Sequence, residues 1–195
     1  MLRVRLSPFV MLIMLACSGA AAAQQTAAPQ TAAQKEAAQK EAARVATREK
    51  LRQLLINSGP KQGIEIAFRQ SDKQPFNFVA MKRGGMKNAD AFEVVVGVSN
   101  DETIGFRIYP VYKGTYVNID KARDGAGLMR KLLNLNDHNF LFWGADDTGD
   151  VFAGYTFTLE SGFPDRGLEV VLYSIGPLDQ YVGQMRPFLD GSAAP

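Results

Sequence analysis

Few residues in this chain could carry chemistry. It has one histidine, His138, and one cysteine, Cys17. Histidine catalysis and metal binding need partners, and no second histidine exists to complete a ligand set. His138 therefore reads as a structural or exposed residue at a helix–strand junction. Asp146, Asp147 and Asp150 form the densest acidic spot. Calcium wants several carboxylate and carbonyl oxygens, but the segment lacks EF-hand spacing, and Asp, Thr and Gly are also the favoured residues of a polar hairpin tip. Asp120 with Asp124 is the first carboxylate pair to weigh for acid–base work, against plain turn and cap roles. Gly84-Gly85 and Gly125-Ala126-Gly127 match neither glycine-rich phosphate-binding pattern. No serine sits in a G-x-S-x-G elbow, and a single histidine excludes most Ser-His-Asp arrangements. The expectation is a protein with no catalytic, cofactor-binding or metal-ligating residues, and so not an enzyme.

Charge narrows the partners. Arg3 and Arg5 account for the whole excess of 22 basic over 20 acidic residues. The chain beyond them is neutral and has no electrostatic footprint for nucleic acid. Those two arginines also open a pattern: an apolar run from Phe9 to Ala16, then small residues from Ser18 to Ala23. That is the layout of a cleaved secretory signal, residues 1–23, with the cut after Ala23 and a periplasmic product. The apolar run is too short for a membrane span, which needs about 20 residues, and no later segment is long enough. Lipidation at Cys17 is the rival, because Met14-Leu15-Ala16-Cys17 loosely resembles a lipobox.

The positioning elements follow from periodicity. Residues 24–33 (Gln, Ala, Thr and Pro) read as a disordered linker. A near-repeat of Ala, Gln, Lys and Glu, then Leu51, Leu54 and Leu55, predicts an N-terminal helix over 34–57, stopped at Gly59-Pro60. From Gly63 the pattern alternates, predicting strands at Ile64–Phe68, Phe76–Met81, Phe92–Val98 and Ile104–Tyr109, the last ending at Pro110. Tyr116 to Asp120 is a candidate extension of the sheet. Leu128, Leu132 and Leu135 mark a helix, Asn139–Trp143 and Val151–Leu159 a hairpin, and Leu168 to Leu189 a long helix kinked at Gly176-Pro177. The fold class is α+β, one antiparallel sheet with packed helices in the order α-β-β-β(-β)-α-β-β-α. The folded domain is 58–190, with a tail at 191–195.

Leu132-Leu133-Asn134-Leu135-Asn136, the hairpin, and a terminal helix carrying Leu178-Asp179-Gln180-Tyr181 together resemble the YbjN family of bacterial sensory-transduction regulators. The resemblance implies a type III secretion chaperone-like fold and a protein-binding habit. It covers the C-terminal third by motif and Lys50 to Leu189 by element order, and its motif holds no catalytic residue.

Aromatic residues supply the remaining candidates. Alternation places Phe140 and Phe142 on one face, Tyr155 and Phe157 on one face, and Trp143 opposite Phe142. Any of Phe140, Phe142, Trp143, Tyr155 and Phe157 left on an uncovered sheet face would be a contact for a protein partner or a homodimer. The leading expectation is an exported, non-enzymatic, protein-binding domain. The alternative is a carrier holding a small ligand or lipid between sheet and helices.

Overall fold

A computed structural model describes residues 31–194. The signal segment 1–23, Cys17, the linker as far as residue 30, and Pro195 lie outside the described residues.

The first helix, α1 (Ala32–Ser58), begins inside the expected linker. Thr31 and Gln34 form a capping box: the Thr31 hydroxyl accepts from the Gln34 N–H at 3.3 Å, and the Gln34 side chain accepts from the Thr31 N–H at 2.9 Å. Residues 32–43 are exposed on every side. Docking starts at Arg44, whose guanidinium donates to the Val98 carbonyl at 3.0 and 3.2 Å and lies 3.5 Å from the centre of the Phe76 ring. Leu51, Leu54 and Leu55 then enter the core.

The segment after α1 corrects one expectation. Ile64 and Ile66 are buried, as alternation required, but Ile64–Phe68 is not a strand. Gly63 and Glu65 both have positive φ, 87° and 55°, which an extended strand cannot accommodate. The segment is held by the Ile66 N–H donating to the Gly59 carbonyl and by Lys82, buried in the sheet, donating to the Ile64 carbonyl at 2.7 Å.

The sheet has seven strands: β1 (Arg69–Gln70), β2 (Asn77–Arg83), β3 (Ala91–Val98), β4 (Thr103–Tyr112), β5 (Thr115–Tyr116), β6 (Phe142–Ala145) and β7 (Val151–Thr158). The order is β1-β2-β3-β4-β7-β6, all antiparallel, with β5 on the end of β4. Tyr116 to Asp120 extends it only by β5 and a bridge between Asn118 and Asp150. β4 passes through Pro110 instead of stopping there. The Val111 carbonyl faces β3, where it accepts from Asp90, so Pro110 faces the other way. Pairing with β7 has already ended at Ile108, and the missing N–H at Pro110 breaks no ladder bond.

Helix α2 (Gly125–His138) starts at Asp124, which caps it by accepting from the Gly127 N–H at 2.8 Å. The expected single C-terminal helix is two: α3 (Asp165–Ser174) and α4 (Asp179–Leu189), separated by a 3₁₀ turn at Gly176–Leu178. The break comes where proline removes a backbone donor. Asp179, at the start of α4, accepts from the backbone N–H groups of Lys87, Asn88 and Ala89 at 2.8–2.9 Å, tying α4 to the β2–β3 loop.

Helices cover one face of the sheet. Phe78, Phe92, Val94, Val96, Ile104, Phe106, Ile108, Ala153 and Trp143 form one buried cluster with leucines and valines from all four helices.

Candidate interaction face

Period-two alternation fixes what the opposite face presents. Register places three rows across it. Val79, Val95, Arg107, Gly154 and Phe142 are neighbours along one. Met81, Glu93 and Tyr109, followed by Phe152 and Gly144, form the second. Asn77, Gly97, Gly105 and Thr156 form the third. None of these residues belongs to the helix-covered core. Phe142 is 45% exposed, Met81 36% and Tyr116, on β5, 38%.

The aromatic rings on this face touch in series. Phe142 meets Phe152 edge-on at 5.8 Å, Phe152 meets Tyr109 at 5.7 Å, and Tyr109 meets Tyr116 at 5.6 Å. Such spacings lie in the favourable range for offset and edge-to-face pairs. The Arg107 guanidinium sits 4.8 Å from the centre of the Phe152 ring. It has no carboxylate partner within ion-pair distance among the described residues. Glu93, the acid on the neighbouring row, accepts instead from the Tyr116 hydroxyl. Burial pushes the Tyr109 phenol above its ordinary range, against the opposing pull of Arg107.

Glycines shape the surface between the rings. Three of four are covered by a side chain from the strand opposite. A Cβ on Gly154 would meet the Phe142 ring at 2.6 Å, one on Gly144 the Phe152 ring at 3.4 Å, and one on Gly97 the Asn77 amide at 2.2 Å. Gly105 has nothing within 4 Å above it. Together with Arg107, Tyr109, Phe142, Phe152 and Thr156 it lines an open trough of about 890 Å³.

The five aromatics singled out from sequence fall into three environments. Phe142 is on the open face. Trp143 is 4% exposed in the core, with its ring 6.2 Å from that of Tyr181, and presents no contact surface. Tyr155 and Phe157 share a face, but it is the helix side: they stack at 4.6 Å, and Phe157 lies beneath Gly167 of α3. Phe140 packs on Tyr155 at 5.9 Å, away from Phe142, because the extended strand begins only at Phe142 and alternation does not reach back to 140. Tyr109, Phe152, Arg107 and Gly105 carry no signal of their own in the sequence. Their strands were legible, but their grouping depends on the pairing of β4 with β7.

The other polar candidates have local roles. His138 is 75% exposed with Asp137 at 3.7 Å. Asp146 accepts from the Thr148 N–H and hydroxyl and the Asp150 N–H within its own turn. Burial works to raise the Asp146 carboxyl, but these bonds, led by the Thr148 hydroxyl, hold it below its ordinary range. Asp120 lies against Gly149 of the hairpin, and Asp124 caps α2. Among the described residues no group of three or more His, Cys, Asp or Glu side chains is placed to hold a metal ion. No helix among them is long and apolar enough to cross a membrane.

No family model matches the chain, and no curated protein matches it. Among solved structures, a chain in the crystal structure of the ExsC-ExsE complex is similar at 18% identity and a TM-score of 0.41, over 74% of this chain and 97% of that chain.

Proposed function

We propose that the protein is an exported, non-enzymatic, protein-binding domain of the YbjN type that meets its partner through the open face of its sheet. One observation carries this reading: a sheet face without helices, bearing the touching series Phe142, Phe152, Tyr109 and Tyr116 beside an unpaired arginine. Phe142 and Tyr116 are exposed, Tyr109 is partly so and Phe152 is buried beneath them; aromatic groups flanked by arginine are the composition of binding hot spots. Export rests on the arginine, apolar and small-residue pattern of residues 1–23.

The test is site-specific photocrosslinking in cells that express the full-length precursor. A benzoylphenylalanine is placed at Phe142 on the open face or at Leu133, 68% exposed on the outer side of α2. Crosslinks to one protein species from 142 and none from 133 are expected. Crosslinks from 133 alone would move the interface to the helices and refute the reading. N-terminal sequencing of the purified product should begin at Gln24; a lipid-modified Cys17 would replace the freely soluble form.

A further inference from the structure

The trough beside Arg107 has a floor built for close approach. Glycine inside a strand weakens it and marks places where a ligand or another backbone comes near. Gly97, Gly144 and Gly154 each have an internal explanation, because a cross-strand side chain occupies the space that a Cβ would take. Gly105 has none. The row through it runs from Asn77 to Thr156 across four strands, roughly 14 Å at 4.8 Å per strand; Gly105 is its one bare position, bounded by the Asn77 amide over Gly97 on one side and by Thr156 on the other. Along one side of that row stand Arg107 and Phe142. The Arg107 guanidinium lies over an aromatic ring and has no carboxylate within ion-pair distance among the described residues; Asp101 lines the trough farther along, together with Arg44, and Asp146 lies on the other side of the Tyr109 phenol. That leaves the guanidinium able to receive a carboxylate from outside, in the two-pronged geometry arginine favours.

We propose that this trough binds an acidic segment of the partner protein, its backbone lying over Gly105, a carboxylate on Arg107 and an apolar side chain against Phe142. The inference rests on the open-face reading above and adds the chemistry of the partner. Gly105 also supplies its own control. Its surroundings leave open space for a side chain and its φ is not left-handed, so Gly105→Val fits the strand and should raise stability while filling the trough.

The probe is a fluorescein-labelled peptide, acetyl-GFDVDG-amide, with acetyl-GFNVNG-amide as its uncharged counterpart, measured by anisotropy at low salt. The acidic peptide should bind about tenfold more tightly, the scale of one charge-assisted contact. Arg107→Gln should bring it to the level of the amide peptide. Gly105→Val should lose both peptides, with an unchanged circular dichroism spectrum and an equal or higher melting temperature. Equal affinity of the two peptides for the unmodified protein, or full binding by Gly105→Val, overturns the proposal. Should crosslinking from position 142 persist in that case, the open face stands and only the acidic chemistry falls. A dimer in sedimentation that Gly105→Val dissolves, without peptide binding, puts a second copy of the chain in the trough and also overturns it.

Discussion

Asn136 offers a test of how the sheet is closed. It lies on α2 beside the outer edge of β6, and its amide makes both bonds that a neighbouring strand would make: its carbonyl accepts from the Trp143 N–H at 2.5 Å, and its Nδ2 donates to the Trp143 carbonyl at 3.1 Å. Asn136→Ala leaves both partly buried backbone groups without protein partners. At about 1 kcal/mol for each net bond the loss is about 2 kcal/mol. For a domain of this size, 2–4 °C per kcal/mol converts it to a fall in melting temperature of roughly 4–8 °C. Thermal and urea unfolding followed by circular dichroism give the global figure, and hydrogen exchange gives the local one. The Trp143 amide should exchange at least about tenfold faster, since 1.4 kcal/mol of lost protection is one order of magnitude. A cost below about 0.5 kcal/mol, with Trp143 protection unchanged, would refute the view that Asn136 substitutes for a strand.

Two further predictions concern how elements are held together. Asp179→Asn turns one oxygen that accepts from the Lys87 N–H and the Asn88 amide into a donor facing donors; it should cost about 2 kcal/mol, read as a lower urea midpoint with an unchanged slope. In the clasp between α1 and α3, Glu169 accepts from Lys61 and from Ser58, each at 2.6 Å. The Lys61 ammonium first, then the Ser58 hydroxyl, holds its carboxyl below the ordinary glutamate range. A depressed folded pKa means that this stabilisation is present above the unfolded value, about 4.3, and is lost as pH falls through the folded one. Melting temperature should therefore drop less steeply from pH 5 to pH 2 in Glu169→Gln than in the unmodified protein (windows set by about 4.3 as the upper bound); parallel curves would sink the idea.

The strands that sequence reveals are those whose burial alternates and whose backbone stays extended. β3 meets both conditions: Phe92, Val94, Val96 and Val98 are buried while Glu93, Val95 and Gly97 are not. Ile64–Phe68 meets the first only. Its carbonyl partner, Lys82, lies eighteen residues on, and its positive φ values belong to a loop that local periodicity does not register. The Leu132–Asn136 and Leu178–Tyr181 segments behind the family resemblance prove to be joints. Asn136 holds Trp143, Asp179 holds the β2–β3 loop, and Tyr181 donates to Asn139 at 2.5 Å. They specify the fold, and the open face is made from other residues. Phe152 and Tyr109 lie 43 positions apart in the chain and meet only through the β4–β7 register, so no count of nearby aromatics could join them.

The edges and the open face of this sheet imply opposite things about association. One edge is β6, where Asn136 occupies the bonding groups of Trp143. The other is β1, two exposed polar residues long, beside a strand that turns a lysine, Lys82, inward. Very short edge strands and inward-pointing charges are devices that keep sheets from pairing with foreign strands. A partner that added a strand would need what these devices remove. The open face has no such protection: its aromatic rings are in contact, with Phe142 and Tyr116 exposed over a buried Phe152, its arginine has no carboxylate partner among the described residues, and one glycine is left bare. If association were harmful at every surface of this domain, a threonine at Gly105 would improve the strand and cover the floor at no steric cost. With glycine at 105 the floor of the open face stays bare, whereas one edge of the sheet has its main-chain groups engaged by Asn136 and the other is only two residues long.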